Sequence, residues 1–160
     1  PHHGVSLLLE AGRVDAMITS HVGTNPLTNE LIQSGKLKAE LIPMGTFAER
    51  IRCGGSGLGG VLTKTGLGTV VQEGKEIITV NGEDYLLETA LHADIALTRC
   101  RRADPVGNQC YAGSSGHASH PVIVTCGTLS IVECDHFCEL GEIAPNEVNV
   151  PGIYVDMILA

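Results

Sequence analysis

The chain has 160 residues, the size of one ordinary domain. Hydrophobic residues make up 43% and aromatic residues only 3%, so a core is available but must be aliphatic. A net charge of −8 argues against electrostatic nucleic-acid binding, and no apolar run approaches the roughly 18 residues of a membrane span.

In chain order, residues 1–4 read as a loop and 5–10 as a short apolar helical turn ending near Gly12. Residues 13–20 predict a strand, followed by the glycine-containing turn HVGTNP. Residues 28–34 read as a helix with Thr28 near its start and Gly35 as its C-terminal stop. Residues 38–44 predict a strand that Pro43 ends. Thr46, with Glu49 three residues on, has the spacing of a capping box for a helix running to about Cys53. That helix delivers Gly54 and Gly55.

Residues 52–75 hold eight glycines and no aromatic residue. Such a stretch disfavours helix, since each interior glycine costs about 1 kcal/mol against alanine. It reads either as the wall of a site for a phosphate- or acyl-bearing ligand or as a surface loop. Beyond it, EIITV and EDYLL flank Asn81-Gly82, the strongest short hairpin signal. Residues 92–100 predict a strand buried at Ile95, Ala96 and Leu97, followed by a turn at 103–108 and a segment pairing back at 109–112. Residues 113–120 read as a polar loop, and Pro121 suits the first turn of a helix. Residues 122–126 are β-branched and stay undecided between helix and strand. Residues 129–134 predict a buried strand, and the tail offers one more. Strands alternating with short helices imply an α/β fold: an open mixed, largely parallel sheet flanked by helices.

The six cysteines, spread through a chain able to fold without staples, read as reduced cytosolic thiols. Gly55, Gly57 and Gly60 match the dinucleotide fingerprint, but a helix is expected before them and none after, the reverse of what that site needs. His117, His120, Cys134, His136 and Cys138 are possible metal ligands without a recognised zinc spacing, so no metal is assigned and a small metal-binding domain stays a minor alternative. Ser56 is not in a nucleophile elbow, because position 58 is Leu. Cys53 reads as a buried helix-end thiol. The chain offers a site wall without a chemical group, as one subunit of a shared active site would.

The run PMGTFAERIRCGGSGLGGVLTKTGLGTVVQEGK, then NGEDYLLETALHADIAL, closely resembles the A (alpha) subunit of family I coenzyme A transferases, of the butyrate/acetate–acetoacetate type. SHVGTNP, ADPVGN and VPGIYVD carry the resemblance over nearly the whole chain in order. It implies an α/β subunit pairing with a B subunit, in an α2β2 assembly, around a shared site. There a glutamate of the B subunit passes coenzyme A between carboxylic acids, with CoA as substrate and no permanently bound cofactor. No catalytic residue is then expected on this chain, which would be inactive alone and cytoplasmic. The resemblance implies a site lined by Gly23, Asn25, Met44, Gly54, Gly55, Gly57, Gly59, Gly60 and His120. Residues 1–160 would be one A-subunit domain without the family's first βα unit, which the natural protein is expected to have. Met44 stands where the family commonly has Gln, and Ala118, Ser119 and His120 stand where it has Asn-Phe-Asn. A specialised or non-catalytic paralogue is the alternative that these replacements raise.

Overall fold

In a computed structural model, residues 4–114 and 120–160 are described, residue 120 by its backbone alone. The elements follow in the order α1 (Val5–Glu10), β1 (Ala16–Thr19), α2 (Pro26–Gln33), β2 (Lys38–Leu41), α3 (Met44–Gly55), β3 (Gly60–Thr63), β4 (Ile77–Val80), β5 (Glu83–Thr89), β6 (Ala93–Ala103), β7 (Gln109–Cys110), α4 (His120–Cys126), β8 (Gly127–Phe137) and β9 (Met157–Leu159). The α/β expectation holds, with the strands divided among three sheets. β1 pairs with β2 in parallel, β5 lies between antiparallel β3 and β4, and the largest sheet runs β7-β6-β8-β9. In that sheet β6, β8 and β9 are parallel and β7 is antiparallel.

The first three helices end by one device. The backbone turns left-handed at Gly12, Gly35 and Gly57. The next N–H then reaches back to a carbonyl of the last turn: Arg13 to Leu8, Lys36 to Leu31 and Leu58 to Cys53. Asn25 starts α2, its Oδ1 accepting from Leu27 N at 3.1 Å and Thr28 N at 3.4 Å, with Pro26 in the first turn. The helix therefore begins two residues before Thr28. At Asn81-Gly82 both residues have positive φ, as the two-residue turn joining β4 to β5 requires.

Three expectations need correction, and one open choice is resolved. The helix after Pro43 starts at Met44, so Thr46 is no cap: it is buried inside the first turn, and no side chain caps this helix. Glu49 instead accepts from Arg52. Gly54 and Gly55, expected just past the helix, belong to the last turn of α3, and 60–63, expected in the glycine-rich loop, are strand. Of the three residues expected buried on β6, only Ala96 is; Ile95 and Leu97 are 53% and 70% exposed. A strand covered on one face buries alternate residues, here Ala96, the half-buried Thr98 and Cys100, with Ala103 buried where the strand ends. Finally, the undecided 122–126 is helix despite its β-branched residues, because α4 packs between α3 and β6 and tertiary contact outweighs propensity.

The main core lies between α4 and the inner face of the large sheet. Val124 meets Cys100, Ala103, Val132 and Cys134, closed by Tyr111 and Val150. All six cysteines are free thiols.

Candidate functional site

Two parallel strands leave their carboxyl ends at one edge, where α/β folds commonly bind ligands. β1 leads into the 20–25 loop and β2, through residues 42–43, into the start of α3. Ser20 Oγ donates to Met44 Sδ at 3.5 Å and joins that loop to the first residue of α3. Asn25 closes the first loop by capping α2 and by donating from Nδ2 to Ser6 Oγ at 2.9 Å. Gly23 is exposed on the same loop, where an added Cβ would meet the His21 ring at 3.0 Å. Gly23, Asn25 and Met44 are thus brought to one edge. A cavity of about 390 Å³ opens there beside α1 and β1, lined by Val5, Leu9, Met17, His21, Thr24 and Asn25 among others.

The glycines of 54–60 lie elsewhere. Met44 and Gly55 are the two ends of the 12-residue α3, so about 16 Å of helix separates them. The fold itself accounts for most of these glycines. A Cβ at Gly54 would lie 1.8 Å from the Leu91 carbonyl oxygen, and one at Gly55 would lie 2.0 Å from Thr125 Oγ1. One at Gly60 would lie 2.4 Å from the Glu88 carbonyl oxygen. Gly57 ends α3, and Gly59 is exposed with open space where a Cβ would go. His120 is the first residue of α4, the helix that meets Gly55 through Thr125.

The glycine-rich segment returns to the first edge by a route the sequence did not reveal. β3 runs back along α3, and a cavity of about 280 Å³ lies between them. Gly45, Thr46 and Glu49 of α3 line one side, and Val61, Leu62, Thr63 and Thr65 line the other. Thr46 is only 5% exposed. The Thr63 hydroxyl accepts from Thr65 N at 3.1 Å. Glu49 holds Arg52 by bonds of 2.8 and 2.6 Å and raises the guanidinium pKa above its usual value. The uncapped start of α3 carries the positive end of the helix dipole, which suits a carboxylate or a developing oxyanion. The threonines in TKTGLGT signalled these polar walls, but only the fold turns them toward α3.

Among the described residues, no group of three or more His, Cys, Asp or Glu could hold a metal. His117 lies outside the described residues, as does the side chain of His120. The two nucleophile candidates among the described residues are structural: Cys53 is fully buried, and Ser56 is the C-cap of α3.

A family model described as coenzyme A transferase matches residues 1–160. The chain belongs to the coenzyme A transferase family. It is 45% identical over 156 residues to the acetate CoA-transferase subunit alpha of Escherichia coli K12, covering 98% of this chain and 70% of that protein. It is 39% identical over 159 residues to the acetoacetyl-CoA:acetate/butyrate CoA transferase alpha subunit of Clostridium acetobutylicum, covering 99% of this chain and 72% of that subunit. An acyl-CoA transferase of E. coli O157:H7, solved as a thioester complex with CoA, shares the fold with a TM-score of 0.87 at 21% identity. That match covers 98% of this chain and 36% of the solved one. The glutaconate coenzyme A-transferase of Acidaminococcus fermentans shares it with a TM-score of 0.81 at 20% identity, covering 95% and 57% respectively. The chain therefore spans about seven tenths of the alpha subunits and about a third of the E. coli O157:H7 chain.

Proposed function

We propose that this chain is the A subunit of a short-chain acyl-CoA:carboxylate CoA-transferase, working with a B subunit in an α2β2 assembly in the cytoplasm. The observation that carries the reading is 45% identity to an acetate CoA-transferase alpha subunit across 98% of the chain. No helix among the described residues is long and apolar enough to cross a membrane.

In this reading a glutamate of the B subunit attacks the thioester carbonyl of acyl-CoA. The C–S bond breaks, an acyl–glutamyl anhydride forms and CoA leaves as the thiolate. The thiolate then attacks the glutamyl carbonyl, giving a glutamyl thioester and releasing the donor acid as its carboxylate. An acceptor carboxylate runs the same two steps in reverse, so CoA changes acid and the glutamate is regenerated with no net gain of protons or electrons.

This chain's part is positioning. The uncapped first turn of α3 and the Thr46 hydroxyl supply hydrogen-bond donors toward an acid or thioester oxygen at the 280 Å³ cavity. Met44, 60% exposed and next in sequence to the cavity residue Gly45, offers a deformable apolar contact for a short acyl chain. Gly23 and Asn25 shape the rim beside it. Gly54, Gly55, Gly57, Gly59, Gly60 and His120 mark a second wall, one helix length away, that faces the B subunit. CoA enters as a substrate and no cofactor is held permanently.

The test is co-purification with a B subunit, followed by assay of CoA transfer from acetyl-CoA or acetoacetyl-CoA to short carboxylates. Transfer by the pair and none by the chain alone supports the reading. A pair inactive on every such combination refutes it.

A further inference from the structure

The edges of the 280 Å³ cavity hang on sheets that share no strand pairing. Gly45 and Thr46 follow the β1–β2 pair, while Val61 and Thr63 belong to the β3–β5–β4 sheet. Four charged side chains run between these sheets. Arg50 of α3 donates from Nη1 to Glu40 Oε1 on β2 at 3.0 Å, and from Nε to the Thr89 carbonyl of β5 at 2.7 Å. The same Nη1 lies 3.8 Å from Glu88 Oε2. Lys75 Nζ donates to the other oxygen of Glu88 at 2.6 Å. Arg50 is 8% exposed and Glu88 is 1% exposed, whereas Glu40 and Lys75 reach solvent.

Stability alone does not explain a buried guanidinium and carboxylate. Desolvating them costs several kcal/mol per ion, and well-packed apolar side chains of similar volume often serve as well or better. What the guanidinium supplies is a rigid planar fork that holds acceptors on two sheets at once. The glycine-rich segment is tied to the same place from both ends. Ala90 N donates to Gly59 O at 3.0 Å, and Leu91 N donates to Arg50 O at 2.9 Å. At the far end Lys75 returns to Glu88.

We propose that Arg50 is a positioning residue for CoA transfer. It sets the separation between the Gly45–Thr46 edge and the wall formed by residues 61–65, with Glu88 as its buried anchor. It touches neither substrate nor reacting atoms. The inference rests on the reading of this edge as a CoA-transferase site.

The test uses the assembled enzyme, the full-length chain with its B subunit, carrying Arg50→Lys or Glu40→Gln. Lysine keeps the charge but cannot hold Glu40 and Thr89 together. Glu40→Gln weakens only the half-exposed end and spares folding. For Arg50→Lys the expected kcat falls about 10- to 100-fold while KM for acyl-CoA stays within about twofold, because a misplaced wall costs transition-state geometry more than binding. Glu40→Gln falls in the same direction by less. Backbone amide exchange at residues 56–65 rises about tenfold in Arg50→Lys, while β6 and β8 keep wild-type protection. Unchanged exchange at 56–65 in both variants overturns the proposal. So does an equal rise in β6 and β8, which marks general destabilisation, or a raised exchange with wild-type kcat. A wild-type pair that transfers no CoA refutes the functional reading, and this inference falls with it.

Discussion

Replacing Gly54 with alanine probes how α3 is seated. The added methyl would lie 1.8 Å from the Leu91 carbonyl oxygen and 2.8 Å from its carbonyl carbon. Ordinary contact begins at 3.4 Å, so helix and connection must part by about 1.6 Å. That movement strains the Leu91 N–H bond to Arg50 O at 2.9 Å and the Arg50 Nε bond to Thr89 O at 2.7 Å. Overpacking costs about 1–3 kcal/mol. Loss of one of these hydrogen bonds adds about 1 kcal/mol. The better helix propensity of alanine offsets about 1 kcal/mol. The expected net loss is about 2 kcal/mol, a fall in Tm of about 4–8 °C at this chain length. Gly45→Ala is the control: it lies in the first turn of the same helix, with nothing within 4 Å of the new methyl. Its Tm is expected to be unchanged or slightly raised. Thermal unfolding followed by far-ultraviolet circular dichroism measures both. Gly54→Ala as stable as wild type, or Gly45→Ala falling as far, would refute the packing argument.

Gly57→Val places a β-branched residue at φ +69°, where the left-handed backbone costs an L residue about 1–2 kcal/mol; a modest drop in Tm with loss of CoA transfer is expected, and full activity would count against the second wall. Asp104→Ala leaves Val106 N, Asn108 N and Asn108 Nδ2 without their shared acceptor and should cost about 3 kcal/mol in urea unfolding, with Asp104→Asn recovering part of it. Burial pushes the Cys100 thiol from 9.0 up to about 12, with Cys134 and Asp135 adding to the rise. The folded thiol should therefore resist alkylation at neutral pH until the protein unfolds. Above pH 9.0 the unfolded chain releases this proton while the folded chain keeps it until about 12, so this thiol makes stability fall with rising pH across that window, and urea midpoints on either side of 9.0 check the sign.

What the sequence made legible was local. Gly12 and Gly35 end helices because a left-handed residue there lets the next N–H satisfy the last turn, and both were readable as stops. Asn81-Gly82 specified its hairpin for the same kind of reason. Gly57 carries that signal too, but it sat among glycines that suggested a ligand loop. The true neighbours of Gly54, Gly55 and Gly60 are Leu91, Thr125 and Glu88, too distant in sequence to be inferred from glycine density. The same limit hid the helix at 122–126, whose partner α3 lies far upstream. It also hid the division of the site residues, since nothing local shows that β3 doubles back along α3 and brings Thr63 and Thr65 toward Thr46. The family resemblance named the activity class without showing this geometry.

The division of labour between two chains is tested most directly by mass spectrometry of the assembled enzyme after incubation with acyl-CoA. The predicted result is a CoA adduct on a glutamate of the B subunit, with this chain at its unmodified mass. A stable CoA or acyl adduct on this chain, turned over without a B subunit, would contradict it.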